Sequence, residues 1–369
     1  MGTVISNSGI SRQGMIRVWL VAVLLACSLM TAPSSYAGLT TEFLAFPTVT
    51  AVNRSQSPAG HGVIRDDFVP AIDLFFMADY DEFRVLAELF SEANGTHVTH
   101  LERFQVGWLP EPDLAVWLGR FHNPIGFWNT AFHHGRYLQT SISRPSIVEF
   151  EPDGGILPMH VTGLFVEKTV NTARSSWQYA FSLGAGPYFK ENLKAVDLFR
   201  SEESSVNLVS SLRLSWRPAG AENNQLGLFI SNSVIPGAVS KFEELKQLVR
   251  GVYADWNFQS VRMTSAVYSI NSDVKEAGVR TNGGFINSYL QLEVPWNADW
   301  TPYGRLERSF GDQKDPFLSY VDAFIRDRSL IGIRYDFTHN QTLKLELGRM
   351  DFASSNYNQA MIQWSAVFP

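Results

Sequence analysis

Six charged side chains are grouped in and next to one long segment, residues 123–158, of this 369-residue chain. Opposed rings of charge around a narrow passage select ions and orient polar solutes. Solvated loop charges or structural ion pairs would give the same pattern, so that alternative stays open. We predict that the group forms a constriction. Its members are the acids Glu149, Glu151 and Asp153 and the arginines Arg120, Arg136 and Arg144.

Four of the eight histidines lie in or beside the same segment: His122, His133, His134 and His160. Histidine clusters bind zinc or copper, or change charge near pH 6.5. No cysteine accompanies these four, and their spacing matches no metal motif. We therefore predict no metal and no cofactor. His133 and His134 remain the alternative pair for metal binding.

The sequence carries no motif that identifies an enzyme. It has neither a Gly-x-Ser-x-Gly elbow nor a His-Glu-x-x-His motif, and no glycine loop that would hold a phosphate. A Ser/His/Asp triad is recognised by geometry, so an outer-membrane hydrolase stays open as an alternative. The net charge of −6 argues against a nucleic-acid partner, because such proteins present a basic face.

The rest of the chain must position these residues, and from residue 38 onward it has the pattern of short strands. Most are about 10 to 13 residues long, close to the length that a tilted strand needs to cross a bilayer. About sixteen strands are predicted, with fourteen or eighteen as alternatives. The predicted ranges are 41–52, 68–78, 82–92, 97–109, 113–122, 159–170, 176–187, 204–217, 223–233, 247–257, 260–270, 283–294, 299–310, 327–338, 341–351 and 358–368.

The connections between these strands alternate between short and long, with shorter exceptions at Asn94-Gly95 and Ser354-Ser355. Tight turns at one end and long loops at the other are typical of a transmembrane β-barrel. The predicted long connections are 53–67, 123–158, 188–203, 234–246, 271–282 and 311–326. The pattern places both termini at the short-turn end.

Within the strands, apolar and polar residues alternate with a period of two, which gives each strand one apolar and one polar face. In the segment 341–351, for example, Leu343, Leu345 and Leu347 interleave with Lys344 and Glu346. Segment 113–122 is apolar on both faces, so we expect a packed loop against its inner side. The charged residues predicted for the lumen wall are Arg84, Glu88, Arg213, Arg334 and Glu346, with ordinary hydration of the lumen as their alternative role.

The composition also favours a membrane barrel. The chain is 13% aromatic and only 18% charged, whereas a soluble domain has about 25% charged residues. No stretch after residue 38 has the ~18 uninterrupted apolar residues of a spanning helix, and lipid cannot satisfy an open sheet. Six tryptophans near short turns predict an aromatic girdle, with a soluble β-core as the alternative: Trp108, Trp177, Trp216, Trp256, Trp296 and Trp300.

The N-terminus has the pattern of a cleaved signal peptide. Arg12 and Arg17 precede an apolar run, and Ser35-Tyr36-Ala37 offers small residues for a peptidase, so we predict cleavage after Ala37. Met15 is an alternative start, an uncleaved anchor is an alternative fate, and Cys27 is an alternative lipidation site. The predicted organisation is a leader, 1–37, followed by one barrel, 38–369.

The long segment carries a family resemblance. Residues 118–129, Leu-Gly-Arg-Phe-His-Asn-Pro-Ile-Gly-Phe-Trp-Asn, resemble the strand end and loop entry of Gram-negative outer-membrane porins of the broad group containing the phosphate-selective type. Pro152-Asp153-Gly154-Gly155 is similar to the constriction-loop tip of general porins, one residue shorter. The lysine-rich interior of phosphate-selective porins is not evident, so that specificity is not carried over.

The resemblance implies an all-β, antiparallel transmembrane barrel in the outer membrane, with 123–158 as its inward-folded third loop. It further implies passive diffusion of small hydrophilic solutes or ions, a transverse field between loop acids and wall arginines, contact with outer-membrane lipid, and a homotrimer. A barrel of little conductance that binds a ligand or metal through its loops is the alternative from another functional class.

Overall fold

The computed structural model describes residues 38–55, 67–94, 96–132, 135–196, 207–221, 223–238 and 241–369. The predicted leader, with Met15 and Cys27, lies outside them. The strands are β1 (Leu39–Arg54), β2 (Asp67–Tyr80), β3 (Phe83–Asn94), β4 (Thr96–Glu111), β5 (Leu114–His122), β6 (His160–Asn171), β7 (Ser175–Ala185), β8 (Tyr188–Phe189), β9 (Leu193–Lys194), β10 (Leu208–Pro218), β11 (Gln225–Pro236), β12 (Glu244–Phe258), β13 (Val261–Glu276), β14 (Val279–Glu293), β15 (Trp300–Phe310), β16 (Asp327–Thr338), β17 (Gln341–Asp351) and β18 (Asn356–Ala366).

Sixteen of these strands form one closed antiparallel barrel, and β8 and β9 form a separate hairpin. Each barrel strand pairs with its neighbour in the chain, and β1 closes the barrel on β18 with Thr48 opposite Ser365. The sixteen predicted strands are thus confirmed, with ends that differ by a few residues. Among the described residues, no helix combines the length and apolarity of a membrane-spanning segment.

Helical structure is confined to connections. One short helix, α1 (Trp128–Ala131), lies between β5 and β6. Four 3₁₀ turns accompany it, at Ser146–Val148, Glu151–Asp153, Asp312–Lys314 and Phe317–Tyr320.

The predicted long connection at 271–282 is wrong. β13 and β14 continue through it and meet at a two-residue turn, Ala277-Gly278, where both φ angles are positive, 48° and 79°. Such a turn matches the twist of an antiparallel hairpin. The segment is polar on its outer face, with Val274 buried inside the barrel. A polar outer face suits a strand extending beyond lipid, because ladder hydrogen bonds do not require an apolar outer face. Arg280 supports the extension through ion pairs with Glu244 and Asp273.

The outer surface of the barrel is apolar. Side chains such as Leu228, Val252 and Leu345 project from it and are about half exposed. At the short-turn end, Trp216 of β10 lies opposite Trp177 on the neighbouring strand β7. The ring of Trp216 stacks with that of Trp256 at a centroid distance of 6.4 Å. Trp300 stacks on Tyr335 at 4.3 Å. This arrangement agrees with the predicted aromatic girdle, since indole rings favour the interface between lipid and water.

The inner surface is divided. On β15 to β17 it is charged, as the alternation predicts, but on β11 to β14 it carries buried aromatic and aliphatic residues. The inner residues of this apolar wall include Phe229, Val249, Tyr253, Tyr268, Ile270, Phe285 and Tyr289. A lumen wall of this kind requires apolar side chains inside the barrel to cover it.

Candidate functional site

The connection between β5 and β6, residues 123–159, folds into the barrel and is called the inward loop below. Its two ends are tied together, because the amide of Asn123 donates to the carbonyl oxygen of Met159 at 2.8 Å. The side-chain amide of Asn129 donates to the carbonyl oxygen of Asn123 at 2.8 Å. The loop therefore leaves and re-enters the barrel wall through a closed, hydrogen-bonded base.

Apolar residues of the inward loop cover the apolar wall of β11 to β14. Trp128 has no exposed surface, and its ring meets that of Tyr289 edge-on at 6.3 Å. The chain approaches the wall closely at Gly126, where φ is +71° and an added Cβ would lie 2.1 Å from the Tyr268 hydroxyl oxygen. The fully buried loop residues in this packing are Ile125, Trp128, Ile147, Val148, Ile156, Leu157 and Met159.

The opposite side of the loop is anchored to charged residues of β15 and β16. Arg305 donates hydrogen bonds to the carbonyl oxygens of Ser143 and Arg144, both at 3.0 Å. Its Nε also pairs with Glu307 at 2.7 Å, and Glu307 accepts the backbone amide of Ser146 at 2.7 Å. Arg328 pairs with Glu307 at 2.6 Å and donates to the Arg144 carbonyl oxygen. These buried charges are satisfied largely by loop backbone, so the loop and the wall form one unit.

Two predicted wall residues, Arg334 and Glu346, also hold the loop. Arg334 donates to the carbonyl oxygens of Tyr137 and Gln139 at 2.7 and 3.0 Å. Glu346 accepts the amide of Ile142 at 3.0 Å. Tyr137 packs against the cluster that contains Trp117 of β5, as expected for a strand with two apolar faces.

The loop also reaches the far side of the barrel. The amide of Gly135 donates to the Asp73 carboxylate on β2 at 2.8 Å. Gly135 lies against Phe46 of β1, where an added Cβ would be 2.2 Å from the ring. The inward loop therefore spans the lumen from β13, which it meets at Gly126, to β2.

Three of the six predicted constriction residues lie near one another at the part of the loop that water reaches. Asp153 is exposed, Glu149 and Arg136 are half-buried, and Arg136 Nη2 pairs with Glu92 of β3 at 2.8 Å. Although its side chain touches water, Asp153 is surrounded by protein atoms inside the barrel. The resulting loss of hydration, together with the carboxylates of Glu149 and Glu92, raises the pKa of Asp153 to about 7, and Arg136 opposes this shift. Burial likewise raises the pKa of Glu149 against the pull of Arg144.

The structure places the other three elsewhere. Arg144 is buried, donates to the carbonyl oxygen of Val148 at 3.1 Å, and lies 4.0 Å above the Phe150 ring. Glu151 has no exposed surface and accepts the backbone amide of Met159 at 2.7 Å.

Arg120 is half-buried and donates to the carbonyl oxygen of Val196 at 3.1 Å. Its contact is thus with the segment that follows β9, in the connection between β7 and β10. Arg144, Glu151 and Arg120 therefore have structural contacts of their own, although the charge of Arg144 still acts on Glu149 and Asp153.

The remaining predicted wall residues form local pairs within the barrel wall. Arg84 pairs with Asp79 through Nε at 2.5 Å. Glu88 is fully buried and pairs with Arg103. Arg213 donates to the side-chain oxygen of Gln178 at 3.1 Å.

Sequence reasoning missed the anchors Arg305, Glu307 and Arg328. The available signal was the alternation on β15, where Leu306 faces outward between Arg305 and Glu307. It also missed Glu102, whose carboxylate lies with His122 and His160, the ligand atoms of the three being within 4.8 Å of one another. His133 and His134, the alternative metal pair, lie outside the described residues.

Comparisons with known proteins find likeness in structure but not in sequence. No protein-family model matches the chain, and no curated protein matches it significantly. The anion-selective porin of Comamonas acidovorans superposes with a TM-score of 0.60 at 10% identity, over 89% of this chain and 100% of that one. The outer membrane channel DcaP of Acinetobacter baumannii gives 0.59 at 9% identity, over 90% and 99%.

The trimer form of OmpT, an outer membrane protein of Vibrio cholerae, gives a TM-score of 0.59 at 8% identity, over 90% of this chain and 100% of that one. At such identities the agreement concerns the overall fold alone. The chain therefore has a closed, 16-stranded antiparallel β-barrel fold like that of the Gram-negative outer-membrane porins.

Proposed function

We propose that this protein is a porin that lets small hydrophilic solutes or ions diffuse passively across the outer membrane, and that it is not an enzyme. The observation that carries the proposal is the inward loop, which is anchored at Arg305, lies against Tyr268 on one wall, and is held by Asp73 on the opposite wall. A segment fixed at both sides of the lumen narrows the aqueous path beside it. The porin and channel folds of the structural neighbours support the same function.

The proposed constriction lies where Asp153, Glu149, Arg136 and Glu92 meet water. Carboxylates outnumber the single arginine here, and the whole chain carries a net charge of −6. Opposed charges at a narrow point set a field that discriminates between ions. We expect this group, rather than the buried Glu151 and Arg144, to determine the preference for cations or anions.

The test is single-channel conductance of folded protein in a planar bilayer under a salt gradient. Steady open steps of uniform size are expected, and their reversal potential reports ion preference. Heat-modifiable mobility on a gel confirms beforehand that the barrel is folded. A folded barrel that gives no current at any potential would overturn the porin function.

A second function is favoured by one observation: the apolar half of the inward loop is packed without exposed surface, as a plug would be. In that case the barrel conducts little and its loops bind a ligand or a metal. Silence in the bilayer together with saturable binding would establish this alternative, and conductance that solutes block would exclude it.

We further propose that outer-membrane lipid contacts the apolar outer surface and that the barrel assembles as a homotrimer. The trimer form of the Vibrio cholerae neighbour supports this assembly. Light scattering in mild detergent tests it, and a mass of one chain would contradict it.

A further inference from the structure

Three side chains from adjacent strands meet at the base of the inward loop. Glu102 comes from β4, His122 from the end of β5, and His160 from the start of β6. His122 and His160 are cross-strand partners, and their ring centroids are 4.9 Å apart. Nε2 of His160 lies 2.7 Å from the Glu102 carboxylate. Both histidines are at least nine-tenths buried.

A fourth side chain orients this group. Oε2 of Glu151 lies 2.8 Å from Nδ1 of His160, so the other ring nitrogen of His160 is directed at Glu102. The second Glu151 oxygen is fixed by the backbone amides of Met159 and His160 at 2.7 and 2.9 Å. A carboxylate on the far ring nitrogen of a histidine is the usual support of a metal ligand, because it fixes the tautomer and ring orientation.

We propose that Glu102, His122 and His160 bind one divalent transition-metal ion of the zinc class, with Glu151 as the positioning residue for His160. Two imidazoles and one carboxylate suit zinc, with water as the fourth ligand. Ligand atoms of a tetrahedral zinc site lie roughly 3.3 Å apart. The present separations, 2.7 Å for one pair and no more than 4.8 Å for any, require side-chain shifts of about an ångström. The ion takes the place of the proton between His160 and Glu102.

The location gives the site a consequence beyond the proposed passive pore. His122 precedes the inward loop and His160 follows it, so a bound ion ties both ends of the loop to β4. Metal binding would fix the two ends of the inward loop to each other and stabilise the position of the loop in the lumen. The proposal does not depend on conductance, since a silent barrel can bind zinc and a conducting one can fail to.

The experiment titrates zinc chloride into the full-length protein, folded in detergent and carrying Cys27→Ser so that no thiol competes. Calorimetry is expected to show one ion per chain, with affinity falling at low pH because the ligands must be deprotonated. His122→Gln and, separately, Glu102→Gln are expected to weaken binding at least about 100-fold. Glu151→Gln is expected to weaken it about 10- to 100-fold, the usual effect of losing such a partner.

The matched control is His133→Ala with His134→Ala, which removes the other histidine pair and is expected to leave binding unchanged. Heat-modifiable mobility shows that each variant is folded, and Glu102→Gln serves where His122→Gln does not fold. Absence of stoichiometric binding by the parent would overturn the proposal. So would binding that survives His122→Gln and Glu102→Gln but disappears in the His133/His134 variant.

Discussion

The guanidinium of Arg305 donates a hydrogen bond to the backbone carbonyl oxygen of Arg144, 3.0 Å away, in the interior of the barrel. One residue belongs to the wall and the other to the inward loop. The same guanidinium pairs with Glu307 at 2.7 Å and lies 5.5 Å from the centre of the Trp128 ring. A single side chain of β15 therefore fixes the polar and the apolar parts of the loop together.

Arg305→Leu is predicted to release this part of the loop. The change removes one of the two arginine partners of Glu307 and leaves Arg328 as the other. It also removes a hydrogen-bond donor from the carbonyl oxygens of Ser143 and Arg144. Breaking a buried ion pair costs about 3 kcal/mol or more. We expect larger, noisier conductance steps and unfolding at a lower urea concentration. Both are measured on refolded protein, by bilayer recording and by the gel shift of the folded barrel.

The control is Arg308→Leu on the same strand. Arg308 is 54% exposed and pairs with Asp327 at 3.0 Å, and exposed ion pairs contribute less than about 1 kcal/mol. It should conduct and unfold like the parent. Identical step sizes and urea midpoints for Arg305→Leu and the parent would show that Arg305 does not anchor the loop.

The second prediction concerns ion preference. Glu149→Gln combined with Asp153→Asn removes the negative charge beside Arg136, and the reversal potential in a salt gradient should move toward the anion side. Adding Glu151→Gln should move it no further, because Glu151 is fully buried. The control is Asp299→Asn, an exposed acid in a short turn. Reversal potentials that stay at the parental value would remove Glu149 and Asp153 from the ion path.

The third prediction is a pH dependence with its midpoint near 7. The surrounding protein atoms reduce the hydration of Asp153 and, with the acids Glu149 and Glu92, raise its pKa from its ordinary 3.8 to about 7. As the pH is lowered from 8 to 6, Asp153 gains a proton and loses its negative charge. The preference for cations should therefore weaken as the pH is lowered. Because the pKa is raised by folding, the associated stability is full below pH 3.8 and is lost as pH rises through about 7.

Asp153→Asn provides the matched comparison. It should give the low-pH reversal potential at every pH between 6 and 8 and should remove the midpoint. A parental reversal potential that is flat over this range, or a midpoint that persists in Asp153→Asn, would assign the titration to another group or to none.

Much of the fold follows from local pattern, whereas the partners within the site do not. The period of two predicted the strands, because an outward-facing Leu345 between the inward-facing Lys344 and Glu346 leaves little choice of register. It failed at Ala277-Gly278, because strands that continue beyond lipid no longer need an apolar face. It also missed the apolar inner wall at Tyr268, since its outward neighbour Val267 is equally apolar.

The site could be located from sequence but not resolved into roles. Alternating acids at 149, 151 and 153 suggested one charged face. The 3₁₀ turn at Glu151–Asp153 breaks that alternation and sends Glu151 to His160 while Asp153 stays in water. Such a split depends on contacts with β4 and β6, which no spacing within the loop records.

The fourth prediction follows from that split. Burial would raise the pKa of Glu151, but pairing with His160 and the backbone amide hydrogen bonds outweigh it and hold the pKa below its ordinary value. A carboxylate of lowered pKa contributes stability above its unfolded pKa, and that stability is lost as pH falls. In metal-free buffer, Glu151→Gln should therefore destabilise the barrel at pH 7 by about 1.5 to 3 kcal/mol, the usual effect for hydrogen bonds to a charged group. The difference should shrink as the pH falls below about 4, where the parental carboxyl takes up a proton.

Glu111→Gln is the control, because Glu111 is largely exposed and pairs with Lys168 at the short-turn end. The measurement is the urea concentration at which half of the protein is unfolded, compared at pH 7 and pH 3.5 for the parent and both variants. If Glu151→Gln and Glu111→Gln have the same urea midpoint at pH 7, Glu151 does not stabilise the end of the inward loop.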